Sequence, residues 1–144
     1  MMDTGYHSGY SFLCTVEGVR LMEAIEKFVD GDIATVEPRV REELVKRGFG
    51  VLTEIDVAAT LKAKIGVERN PLKILGACNP GFANRALEAD PTVALMMPCN
   101  VVLSQEGNQV RISAVDPTML MDSPGMKALA DEAVELLRAA VSAV

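Results

Sequence analysis

The amino-acid sequence predicts an α+β fold in which helices cover one face of a mixed or antiparallel sheet. Three observations carry that expectation. Strand-like segments in the first half are separated by helical ones, two later strand segments are joined by a two-residue turn, and the C-terminal stretch carries an apolar stripe at helical spacing. The predicted order is β-α-α-β-α-β-α-β-β-α, and the 144 residues are expected to form a single domain.

In residues 10–16, Tyr10, Phe12, Cys14 and Val16 alternate on one side, the period of a half-buried strand that ends at Gly18. Over residues 19–29, Leu21, Met22, Ile25, Phe28 and Val29 recur at three and four, predicting a short amphipathic helix stopped by Asp30-Gly31-Asp32. The next helix is expected to take Thr35 as its cap and Pro38 in its first turn, turning Val40, Leu44 and Val45 inward until Gly48. Residues 49–55 read as a strand with Phe49, Val51, Thr53 and Ile55 on one face, after which Asp56 caps a helix closed by Gly66. Residues 72–78 form a third predicted strand, and Asn79-Pro80 supplies a cap and a favoured first residue for a helix over 81–88. Residues 93–104 and 109–115 read as a hairpin around Gly107-Asn108. Ser123 and Pro124 open the last helix, whose Met126, Leu129, Ala133, Leu137, Ala140, Val141 and Val144 share a face.

Composition narrows the function classes. Lys and Arg number 14 against 20 Asp and Glu, and a net charge of −6 disfavours nucleic acid as a partner. No stretch reads as a membrane span or a secretory leader, and three cysteines do not make a disulfide framework, so a cytoplasmic protein with reduced thiols is expected. Aromatic residues are 4% with no Trp, which argues against a ring-stacking site. The sole histidine, His7, lies in a polar N-terminal segment, an unfavourable place for a Ser-His-Asp or Cys-His system.

Four ordered motifs carry a resemblance. They are Gly48-Phe49-Gly50-Val51-Leu52-Thr53-Glu54-Ile55-Asp56, Lys73-Ile74-Leu75-Gly76-Ala77-Cys78-Asn79-Pro80, Met97-Pro98-Cys99-Asn100-Val101 and Ala114-Val115-Asp116-Pro117. From about Thr35 onward the chain resembles the domain of unknown function 302 family. The resemblance implies a single, mostly antiparallel sheet of about five strands with helices on one side, similar to the TATA-box-binding-protein-like arrangement. It also implies a homodimer and no assigned activity, and it makes residues 19–34 an expected insertion.

The recurring Cys-Asn dipeptides, Cys78-Asn79 and Cys99-Asn100, define the candidate site. A two-residue loop at Gly107-Asn108 sets Glu106 opposite Gln109 and Ser104 opposite Arg111, and counting inward sets Cys99 opposite Asp116. If the strand ending at Cys78 runs antiparallel beside 93–104, then Cys78, Cys99 and Asp116 meet at one sheet edge, with Asn79, Asn100, Glu54 and Asp56 nearby. The favoured expectation is non-covalent binding of a small molecule there, with no cofactor and no metal. The alternatives are thiol-dependent redox or sulfur transfer through Cys78 or Cys99, and a structural homodimer serving a protein partner. A soft metal held by the cysteines and Met96 or Met97 lacks a third ligand of comparable weight. Against all of these stands the plain reading of Cys78, Cys99 and Cys14 as small apolar core residues. Glu54 and Asp56 read more simply as a solvated side chain and a helix cap.

Overall fold

The computed structural model describes residues 23–121 and 123–144. Its strands are β1 (Ala24–Asp30), β2 (Gly50–Asp56), β3 (Leu72–Cys78), β4 (Cys99–Glu106) and β5 (Gln109–Val115). The helices are α1 (Ile33–Lys46), α2 (Val57–Ile65), α3 (Pro80–Ala89) and α4 (Pro124–Ala143), with 3-10 turns at Pro91–Met96 and Pro117–Met119. The strands form one antiparallel sheet in the order β1-β5-β4-β3-β2, giving the expected α+β class.

Strand alternation explains which side is covered. Leu75 and Ala77 of β3, Val101 and Leu103 of β4, Val110, Ile112 and Ala114 of β5, and Ile25 of β1 all fall on one face and are buried. Val36, Val40 and Leu44 of α1 and Val134, Leu137, Ala140 and Val141 of α4 complete that core. Leu103 and Ile112, opposite each other and fully buried, each contribute about 1.5–3 kcal/mol through lost apolar exposure. The hairpin turns where the sequence places it, with Gly107 at φ 64°.

Four expectations need correction. Residues 24–30 are the edge strand β1, paired with β5 from Ala24↔Val115 to Asp30↔Gln109, not the end of a helix over 19–29. Helix α1 starts earlier than predicted because Asp32 is its cap, accepting the Thr35 N–H at 2.9 Å and the Thr35 hydroxyl at 3.0 Å. Pro38 therefore sits in the second turn, and Val36 joins Val40 and Leu44 on the buried face while Val45, expected to face inward, is exposed. Strand β4 begins at Cys99, since Asp90 accepts from the Thr92 N–H and hydroxyl and winds Pro91–Met96 into a 3-10 turn. In β2, a register shift between Val51 and Thr53 sets Val51 beside buried Ala77 but Thr53 beside Gly76 on the opposite face, so the four predicted residues do not share one side. The strand predicted over residues 10–16 lies outside the described residues.

Candidate functional site

The site is built where β3 gives way to α3. The strand ends at Cys78, and the Asn79 Oδ1 accepts from the N–H groups of Gly81 and Phe82 at 3.1 and 3.3 Å, with Pro80 first in the helix. The other end of Asn79 donates to the Arg47 carbonyl at 3.5 Å. This contact passes close to Gly48, at φ 85°, where a Cβ would stand 2.8 Å from Asn79 Nδ2. Cys99, the first residue of β4, pairs with Ala77, one residue before Cys78.

A cavity of about 70 Å³ opens between these strand ends and helices α3 and α4. Cys78, Asn79 and Cys99 lie in its wall beside Phe49, Ala77 and Pro98; α3 contributes Phe82, Ala83 and Ala86, and α4 contributes Ala133. Val93, Met96, Met97, Pro117 and Met121 complete it. Among the described residues, Asn79 is the only polar side chain in that lining apart from the thiols. Burial pushes the Cys99 thiol above its ordinary pKa, and the nearby Cys78 adds to the rise. Cys99 is therefore held protonated at neutral pH and is a poor nucleophile.

The expected hairpin register is present, with Glu106↔Gln109, Ser104↔Arg111 and a ladder extending to Val101↔Ala114. Two further steps bring Cys99 level with Asp116, but the Asp116 carboxylate is occupied by its own turn. It accepts the Thr118 N–H at 2.9 Å and hydroxyl at 2.6 Å, and Pro117 rather than Asp116 lines the cavity. Asn100 pairs with Gly76 and falls on the sheet face away from Leu75 and Ala77. Asp56 caps α2 through the Ala59 N–H at 2.9 Å. Glu54 joins an ion network instead, bonding to Arg41 at 2.6 Å and Lys73 at 3.0 Å, while both cations also reach Glu37. Burial acts to raise the Glu37 carboxyl, yet Lys73 and Arg41 together hold it below its usual value; Glu37 and then Glu54 raise Lys73.

Of the seven candidate residues, Cys78, Asn79 and Cys99 thus share the cavity, and Asn100, Asp116, Glu54 and Asp56 stand outside its wall. Phe82, Ala83, Ala86, Val93, Met121 and Ala133 are among the lining residues that sequence reasoning did not place at the site, because they join it only through the packing of separate elements. Cys14 and His7 lie outside the described residues. Among the described residues no group of three or more His, Cys, Asp or Glu could hold a metal, and no helix is long and apolar enough to cross a membrane.

Comparison with known proteins gives a family and a structural relative. The family model described as domain of unknown function DUF302 matches residues 25–144, starting within the segment expected to be an insertion. The crystal structure of an uncharacterized conserved DUF302 protein from Bacillus stearothermophilus is similar at a TM-score of 0.74 and 32% identity, covering 82% of this chain and 96% of that one. No curated protein matches the chain.

Proposed function

Since this chain belongs to the domain of unknown function 302 family, which carries no assigned activity, we propose that it is a binding protein for a small apolar or soft ligand taken into the cavity between Cys78 and Cys99. The observation that carries this reading is the convergence of both thiols and one amide on an otherwise apolar recess. Its size restricts the ligand. About 70 Å³ is well below the roughly 300–1,000 Å³ of pockets for drug-sized ligands, so a nucleotide or large cofactor does not fit, whereas a group of a few heavy atoms does. Sulfur transfer through Cys99 is the weaker reading, because its thiol is held protonated.

Thermal melting with small uncharged probes, dimethyl sulfide and short thiols among them, tests the proposal. A ligand specific to the native state raises the midpoint. The rise is expected in the natural chain and not in Ala83→Leu, which fills the recess from α3. Absence of any rise, or a rise that survives the filling substitution, overturns it.

A further inference from the structure

We propose that the cavity is a site for one soft monovalent cation of the copper(I) or silver(I) class, held between the thiolates of Cys78 and Cys99 with methionine thioethers completing its shell. The inference rests on the cavity reading above and names its occupant. Five sulfur-bearing residues, Cys78, Cys99, Met96, Met97 and Met121, line a space of about 70 Å³, and among the described residues its lining holds no imidazole and no carboxylate. Thiolate and thioether donors select soft cations, whereas calcium, magnesium and manganese require oxygen donors. Zinc calls for four nitrogen, thiolate or oxygen ligands, and two thiols fall short of that set. Met97 and Met121 are partly buried against Ala86, Val93, Met126 and Leu129, so packing rather than chance exposure sets them in the wall.

Charge and proton balance agree with such an occupant. Each thiol releases one proton to solvent as its sulfur takes the cation, so two protons leave and a complex of net charge −1 remains. That charge lies beside the positive end of α3, a ten-residue helix whose cap directly follows Cys78. No electron is transferred.

The test is a titration of the reduced protein with silver(I), using Cys14→Ser throughout so that the third cysteine does not contribute. One equivalent should bind, raise the melting midpoint and release two protons near neutral pH, while zinc(II) should leave the midpoint unchanged. Cys78→Ser or Cys99→Ser should weaken binding by at least the roughly 10–100-fold that loss of a merely supporting group costs. Met97→Leu and Met121→Leu, which conserve volume, should also weaken it and keep the test decisive if a serine variant does not fold. Affinity undiminished in the serine and leucine variants overturns the proposal. If dimethyl sulfide raises the midpoint but silver(I) does not bind, the cation assignment falls and the cavity reading stands; if neither binds, both fall.

Discussion

At Gly76 a single added carbon decides whether β2 and the turn into β4 can lie as they do. A Cβ there would collide with the Thr53 hydroxyl and come within 2.7 Å of Pro98 Cγ. Gly76→Ala is expected to cost about 1–3 kcal/mol in denaturant unfolding, and adding Thr53→Ala should recover part of the loss. No recovery would mean that the hydroxyl is not the obstacle. Cys99 supports a second prediction, this one in pH. Burial raises its pKa in the folded state, so its contribution to stability is complete below the unfolded thiol value and is lost as pH rises through the folded one. Stability should therefore fall on the alkaline side, and Cys99→Ser should flatten that limb. Native alkylation of Cys99, followed by peptide mass spectrometry, should have its midpoint above the ordinary value of about 8.5; a lower midpoint would contradict the burial argument. The residues that sequence reasoning reads well are those whose role is local. Asp56 and Asn79 cap helices because their side chains reach N–H groups two or three residues ahead, a matter of chain geometry alone. Asp116 is similar in kind, and its local turn claims the carboxylate that register counting assigned to a thiol.

Strand β1 shows where local reading fails. Ile25 and Val29 face the helices, but Lys27 lies between them on the same face and half-exposed Phe28 lies on the other, so the alternation of a strand is disguised as helical spacing. The reason is a contact 115 residues away: Lys27 Nζ donates to the carbonyls of Ser142 and Val144, each at 2.7 Å. The last carbonyls of α4 have no intrahelical donor, and an ammonium there also suits the negative end of the helix. Lys27→Met, which keeps most of the stem, should destabilise the protein by about 0.5–2 kcal/mol in urea unfolding. Lys27→Arg should retain much of the difference. Equal stability of the methionine variant would show that the cap contributes nothing. No window around β1 reveals this partnership, whereas the hairpin at Gly107-Asn108 is legible because its turn and both strands lie within one short segment.

Across the molecule as a whole, apolar burial among the described residues divides into two clusters. The larger lies between the sheet and helices α1 and α4; the smaller gathers Ala86, Val93, Met126 and Leu129 with Phe82, Met97 and Met121. Helix α4 belongs to both, giving its first turns to the small cluster and Val134 to Val141 to the large one. The cavity lies at their seam, with Phe49, Ala77 and Cys99 from one side and Phe82, Ala86 and Met97 from the other. This explains why the thiols and their amide were legible as a site while its helical wall was not: Phe82 and Ala133 meet only through packing of α3 against α4, which no spacing in the chain records. The division also has a dynamic consequence. A segment held by few buried side chains opens at lower free energy than the global core. Native-state hydrogen exchange should therefore show α3 amides opening more readily than those of Val101, Leu103 and Ile112, and a ligand in the seam should raise protection in α3 more than in β4 and β5. Equal opening free energies in the free protein would mean that the clusters behave as one cooperative unit, and a ligand that protected the whole sheet uniformly would have to act from somewhere other than the seam.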